Sequence, residues 1–129
     1  KGNDFLTWEQ VKHNICLLSE YLKENLSKGD RCVLLSENRP EWLIADIAIM
    51  NAGGVTVPLF TTYSDKDYEY IINDCKPKIC IISNDIQFKK IEKFITSGTK
   101  IISIEKQRKN MSKKYVSMFF IFSDASFHF

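Results

Sequence analysis

Histidine is scarce in this chain of 129 residues, which contains only His13 and His128. Nucleophilic catalysis by serine or cysteine normally requires a histidine base and an acid that orients it. His13 falls on a predicted helix and His128 lies next to the carboxyl terminus, so no catalytic triad is expected. Neither histidine stands at ligand spacing from a cysteine or from the other histidine. We therefore predict no catalytic residue and no metal ligand in this chain.

Paired cysteines and long apolar runs are also missing. The four cysteines, Cys16, Cys32, Cys75 and Cys80, include no Cys-x-x-Cys pair, and three of them lie among apolar neighbours. That pattern favours reduced core cysteines in a cytosolic protein over disulfides or a metal centre. No run approaches the roughly 20 apolar residues that cross a bilayer, and the first residues lack the apolar core of a signal peptide. We expect a soluble, cytoplasmic protein, with peripheral membrane contact as an alternative.

Signals for nucleic acid and for phosphate loops are weak. A net charge of +2, with both signs mixed along the chain, does not predict a nucleic-acid partner. The sequence contains no GxxxxGK[ST] loop. Gly53-Gly54 follows a predicted helix and precedes a predicted strand, whereas a dinucleotide-binding glycine loop follows a strand and precedes a helix. The segment TSGTK, residues 96–100, has the composition of a phosphate loop. Because it lies between a helix and a strand, we interpret it as a helix-ending turn.

The most apolar stretch of the chain predicts a central helix. Asn38 is predicted to cap this helix, Pro40 fits its first turn, and Glu41 faces the positive end of the helix dipole. From Trp42 to Met50 only Asp46 is polar. Such a composition is typical of a core helix that is buried on most sides.

Two further helices carry start signals. Thr7 and Gln10 form a capping box, and apolar residues at spacings of three and four follow them. Ser64 or Asp65 begins another helix, which carries Tyr68 on its apolar side. Both helices are therefore predicted to be amphipathic and to pack on a core.

Short apolar runs alternate with these helices. Gly53-Gly54 turns the chain into a short buried strand that Pro58 is expected to stop. Strands are predicted at Arg31–Leu35, Val55–Val57, Ile79–Ile82 and Ile101–Ile104. The alternation predicts an α/β fold with a doubly wound, mostly parallel sheet of about four strands.

The composition changes after Ile104. Lys106 to Lys114 carries five positive charges and no negative ones, and Tyr115 to Phe122 is almost wholly apolar. We therefore divide the chain into residues 1–104, one domain, and residues 105–129, a tail of undefined structure. A basic stretch beside an aromatic run suits a partner or a membrane surface. A further strand, or the end of a chain taken out of its context, explains the run equally well.

The segment from Gly29 to Ser83 resembles the amino-terminal part of the adenylate-forming, AMP-binding enzymes. Its pattern is a Gly-Asp-Arg strand entry, then Asn-Arg-Pro-Glu-Trp opening an apolar helix, then Ala-Gly-Gly before Val-Pro. Within that superfamily it is most similar to the long-chain fatty-acid:CoA ligases. The resemblance extends from about Phe5 to Ile104 and implies that this α/β sheet belongs to a larger adenylation domain.

The resemblance implies a two-step reaction. A fatty acid carboxylate attacks the α-phosphate of ATP to form an acyl-adenylate, and the thiol of coenzyme A then takes the acyl group. The intact enzyme would use ATP, Mg²⁺ and coenzyme A, with magnesium neutralising phosphate charge. None of these is expected to bind the present chain tightly.

The family's phosphate-binding signature, a Ser/Thr-Gly-Thr-Thr-Gly-x-Pro-Lys-Gly loop, does not occur in this sequence. No catalytic residue can therefore be transferred from the family. The resemblance places Phe60, Thr61 and Thr62 near the coenzyme A entrance, with a plain loop as the alternative. We therefore expect this chain to be the amino-terminal part of a long-chain acyl-CoA ligase and to be inactive on its own. The alternative is a non-catalytic module that binds a partner or a membrane through its tail.

Overall fold

The computed structural model describes residues 6–105, 115–118 and 121–122. Helices and strands alternate along most of this part of the chain, as predicted. The helices are α1 (Trp8–Lys23), α2 (Pro40–Asn51), α3 (Asp65–Cys75) and α4 (Asp85–Ile91), which a 3₁₀ turn at Glu92–Phe94 extends. The strands are β1 (Arg31–Leu35), β2 (Val55–Leu59), β3 (Ile79–Ile82), β4 (Lys100–Ser103) and β5 (Tyr115–Ser117).

The five strands form one parallel sheet in the order β2-β1-β3-β4-β5. Helices cover both of its faces. On one face α1 and α2 pack against Leu34, Ile81 and Ile102. On the other face α3 and α4 pack against Val33 and Ile82. This three-layer arrangement confirms the predicted doubly wound α/β fold. It also explains the unbroken apolar strands, because a sheet that is covered on both faces buries every side chain of its central strands.

The predicted start signals of two helices are confirmed. Thr7 caps α1. Its hydroxyl oxygen accepts a hydrogen bond from the backbone amide of Gln10 at 3.1 Å, and the side-chain oxygen of Gln10 accepts one from the backbone amide of Thr7 at 2.9 Å. Ser64 caps α3 in the same way together with Asp67. These bonds satisfy amide groups that the first turn of a helix would otherwise leave without a partner.

The predicted cap of α2 is wrong. The helix begins at Pro40, so Arg39 and not Asn38 occupies the capping position, and no side chain accepts a hydrogen bond there. The reason is local. Proline disfavours helical angles at the residue before it, and Arg39 is accordingly extended, with φ −154° and ψ 161°. Glu41 does lie in the first turn, as predicted.

Helix α2 is also less buried than its composition predicts. Ile44, Ala45, Ala48 and Ile49 are buried against the sheet and α1, and Trp42 packs against this core while staying partly exposed. The opposite face carries Leu43 and Met50, which are 49% and 56% exposed. The prediction of burial on most sides is wrong for the described part of the chain because only one face has neighbours there.

Strand β2 differs from the prediction in length and in burial. It continues through Pro58 to Leu59, and Val55 is 46% exposed. The strand lies at the edge of the sheet. The amide of Val55 donates to the backbone carbonyl of Asp30, on the β1 side, at 2.8 Å. Alternate amides of a strand point the same way, so the nitrogen of Pro58, three residues on, faces the open edge. A proline is tolerated there because the sheet of the described residues has no strand on that side to use its missing N–H.

The tail is described only in part. Tyr115–Ser117 forms β5, Met118 is buried, and Ile121 and Phe122 pack against the core that α1 and α2 share. Lys106 to Lys114, Phe119 and Phe120 lie outside the described residues. The division of the chain after residue 104 therefore stays a prediction.

Candidate functional site

The candidate site lies at the carboxyl ends of β1 and β3. From β1 the chain passes outward to β2 and then returns across β1 to form β3, so the direction of winding reverses between these two strands. In open α/β sheets, ligands bind outside the carboxyl ends of the strands at such a reversal. Ser36 and Glu37 follow β1 there, and Ser83 and Asn84 follow β3.

Glu37 is the centre of this polar group. Its Oε2 accepts a hydrogen bond from Nε2 of Gln87, on α4, at 2.7 Å. The Ser83 hydroxyl lies close enough to influence the same carboxylate, although it does not reach regular hydrogen-bond geometry. Burial raises the pKa of Glu37, but the interactions with Ser83 and Gln87 and the charge of Arg39 together hold that pKa below its usual value. The site therefore holds a carboxylate in its charged form.

A second polar group connects β3, β4 and the start of α2. Arg39 donates from Nη1 to Glu105 at 2.8 Å and from Nε to Glu41 at 3.1 Å. Asn84 donates to the same Glu105 oxygen at 3.3 Å. Burial lowers the pKa of Arg39, and the two carboxylates outweigh that effect and raise it. Among the described side chains of these two polar groups, three carboxylates outnumber one guanidinium, a balance that suits cations and hydrogen-bond donors better than free anions.

The predicted site residues Phe60, Thr61 and Thr62 lie at the same edge of the sheet, directly after β2. Two side chains hold this loop by its carbonyl groups. The Tyr68 hydroxyl donates to the carbonyl of Phe60 at 2.6 Å, and Lys90 Nζ donates to that of Thr61 at 2.7 Å. The Phe60 ring is 67% exposed, and its centroid lies 5.2 Å from that of Tyr63. The structure therefore fixes the loop and leaves an aromatic ring at its surface.

The sequence analysis missed Glu37, Ser83 and Gln87. A signal for two of them was present, because Ser36-Glu37 and Ser83-Asn84 each follow a buried apolar strand directly. Polar residues at that position reach the ligand-binding edge of a parallel sheet. Gln87 had no comparable signal, since its meeting with Glu37, fifty residues earlier, depends on how α4 packs.

Residues 96–99 form a turn, as predicted, and Lys100 begins β4. The amide of Thr99 donates to the carbonyl of Thr96 at 3.1 Å, and the Thr99 hydroxyl donates to the carbonyl of Pro77 at 2.9 Å. The turn leads into β4 and so lies at the amino edge of the sheet, opposite the candidate site. Its hydroxyl groups secure the entry to β4.

The cysteines of the described chain are free thiols. Cys32 and Cys80 are buried, and burial raises the pKa of Cys32 to about 12 and raises that of Cys80 further. Such thiols are unreactive at neutral pH. Within the described residues no group of three His, Cys, Asp or Glu side chains is placed to hold a metal ion. The helices of this part of the chain include none that is long and apolar enough to cross a membrane.

Residues 1–123 match the family described as AMP-binding enzyme. The chain belongs to this family. It is 34% identical over 87 residues to fatty acyl-CoA synthetase A of Dictyostelium discoideum, covering 67% of the chain and 12% of that protein. It is 36% identical over 67 residues to the long-chain-fatty-acid–CoA ligase ACSBG2 of Gallus gallus, covering 52% of the chain and 9% of that protein. This AMP-binding family member thus spans about a tenth of the length of these relatives.

Solved structures share the fold. The coronafacic acid ligase of Pectobacterium brasiliense superposes with a TM-score of 0.80 at 22% identity, over 94% of this chain and 25% of that one. The anthranilate CoA ligase AuaEII superposes with a TM-score of 0.78 at 21% identity, over 92% of this chain and 23% of that one. The predicted membership of the adenylate-forming superfamily is confirmed, and about three-quarters of each solved chain has no counterpart in this one.

Proposed function

We propose that this chain is the amino-terminal part of an ATP-dependent long-chain fatty-acid:CoA ligase. The observation that carries the proposal is the family match over residues 1–123, together with relatives named as fatty acyl-CoA and long-chain-fatty-acid–CoA ligases. The reaction would join a fatty acid to coenzyme A. A carboxylate oxygen attacks the α-phosphorus of ATP and releases pyrophosphate, and the thiol sulfur of coenzyme A then attacks the acyl carbon and releases AMP.

The chain would contribute a scaffold rather than the reacting groups. Adenylation requires several groups placed together on the triphosphate, the adenine and the attacking carboxylate, and its rate depends on that preorganisation. The Thr-Thr-Gly-x-Pro-Lys-Gly loop that would bind the phosphates is not in the sequence. Magnesium would neutralise phosphate charge in the intact enzyme. We therefore assign the chain no activity of its own.

The coding sequence on either side tests this proposal directly. We expect the downstream flank to encode a Thr-Thr-Gly-x-Pro-Lys-Gly loop in frame with Phe129. If no reading frame on either flank encodes that loop, there is no intact parent ligase at this locus. The chain would then be a separate α/β module, which is the alternative function.

For the loop of Phe60, Thr61 and Thr62, we propose a position at the coenzyme A entrance of the intact enzyme. Two contacts support a defined surface there, since Tyr68 and Lys90 hold two successive carbonyl groups. The exposed Phe60 ring offers an aromatic face, which can stack on a nucleotide base. Tyr68 and Lys90 would then be positioning residues, because they act on the loop and not on the ligand.

Tyr68→Phe should loosen this loop without unfolding the chain. The phenyl ring would keep the buried position of Tyr68, which is 1% exposed, while the hydrogen bond to Phe60 is lost, at a cost of about 1 kcal/mol. Hydrogen exchange at the amides of Thr61 to Tyr63 measures the effect and should become several-fold faster. Tyr70→Phe is the matched control, since Tyr70 lies on the same helix and is 73% exposed. Equal exchange rates in the two variants would contradict the positioning role.

The alternative function, contact with a partner or a membrane through the tail, gains no support from the described residues. Met118 is buried, and Ile121 and Phe122 pack against the core while staying partly exposed. The basic residues 106–114 lie outside the described part. The cytoplasmic location stays a prediction of the cysteine pattern.

A further inference from the structure

Two buried oxygen atoms at the candidate site lack partners within the described part of the chain. They are Oγ of Ser83 and Oε1 of Gln87, whose residues are 0% and 6% exposed. Leaving such an atom unpaired costs about 1 to 3 kcal/mol, so each case in a folded protein requires an explanation. Both side chains interact with the Glu37 carboxylate, Gln87 through Nε2 at 2.7 Å and Ser83 more loosely.

The chemistry of this region is defined by its donor atoms. Gln87 already donates from Nε2 to Glu37, which fixes the orientation of the amide and leaves Oε1 as an acceptor. Glu37, Gln87 and Ser83 thus offer a carboxylate oxygen, an amide oxygen and a hydroxyl oxygen as candidate ligands. Oxygen-only sets suit hard cations such as Mg²⁺ and Ca²⁺ rather than zinc or copper, which prefer nitrogen and sulfur.

The surrounding charges allow a cation. Arg39, which directly precedes α2, is engaged by Glu41 and Glu105. On α4, Lys89 pairs with Asp85 at 3.6 Å, and Lys90 points to the carbonyl of Thr61. Glu37 therefore keeps its negative charge with much of the neighbouring positive charge already paired.

We propose that Glu37, Ser83 and Gln87 form a weak site for a hydrated divalent cation, Mg²⁺ in the cell, at the carboxyl ends of β1 and β3. The three side chains come from two strand ends and one helix, so the site would join elements that are distant in sequence. The proposal does not depend on the ligase activity, because it concerns metal binding by this chain alone. Its failure would leave the proposed function untouched.

Titration of the isotope-labelled 129-residue chain with Mn²⁺ tests the site. We expect paramagnetic broadening of the Gln87 side-chain amide and of the Ser83 and Asn84 backbone amides, reversed by excess Mg²⁺. Glu37→Gln should weaken the apparent affinity about tenfold or more, because it removes the charged ligand. Glu69→Gln is the control, since it removes one carboxylate charge from the exposed surface of α3 without touching the proposed ligands or Arg39, and its effect should stay below about threefold.

Three results would overturn the proposal. They are broadening spread over distant carboxylates such as Glu20 and Glu9, no competition by Mg²⁺, or equal losses in the Glu37 and Glu69 variants. An unchanged Gln87 signal would overturn it as well, and would indicate that a buried water forms hydrogen bonds with these atoms in place of a cation. If Glu37→Gln proves unstable, Ser83→Ala supplies a second variant, which should weaken Mn²⁺ binding and keep the amide spectrum of a folded chain.

Discussion

Ile81→Ala is expected to lower the free energy of unfolding by about 3 to 4 kcal/mol, a large part of the total stability of a small domain. Ile81 lies on β3, inside the sheet, and is 0% exposed in the core that α1 and α2 cover. The truncation removes buried methyl groups and leaves a cavity that two packed layers cannot easily close. Urea unfolding followed by far-UV circular dichroism measures the change.

Ile86→Ala is the matched control for this prediction. Ile86 lies on α4 and is 68% exposed, so its loss should change the free energy of unfolding by less than about 0.5 kcal/mol. Similar losses in the two variants would show that β3 is not buried between two helical layers. That result would contradict the fold, irrespective of any function.

The 129-residue chain should release no pyrophosphate from ATP above a blank, in the presence of Mg²⁺ and a C16 fatty acid. A longer product of the same locus that includes the Thr-Thr-Gly-x-Pro-Lys-Gly loop should show turnover. Enzymes exceed uncatalysed rates by about 10⁶-fold or more, so pyrophosphate release should be measurable for the longer product and undetectable for the 129-residue chain. The physical reason is that preorganised contacts to the triphosphate are largely lost together when the loop that makes them is missing.

The blank for this assay contains the same chain without fatty acid, which removes background hydrolysis of ATP. Turnover by the short chain would mean that its own residues bind the triphosphate. The first segment to re-examine would then be residues 96–100, which have the composition of a phosphate loop. Inactivity of the longer product would count against the ligase proposal itself.

The sequence by itself determined the local structure of this protein. The capping boxes at Thr7 and Ser64, the apolar run of β3 and the alternation of helix and strand all follow from residues that are neighbours in the chain. Local patterns of this kind predict elements well because the energies that set them, capping and periodic burial, act over a few residues. The family resemblance around the Asn-Arg-Pro-Glu-Trp motif, which the match over residues 1–123 confirms, is also a property of contiguous sequence.

Only the tertiary structure decided the order of the strands and the site that this order creates. An apolar run does not encode whether its strand becomes an edge, so the exposure of β2 and the place of Pro58 within it were not predictable. The outer face of α2 is another example, because its exposure depends on which elements pack beside it, and the amino-acid composition of the helix does not show that. Glu37 meets Gln87, and Arg39 meets Glu105, across 50 and 66 residues respectively. Such pairs form only once the sheet and its helices have packed, because their energies depend on distances that no local pattern sets.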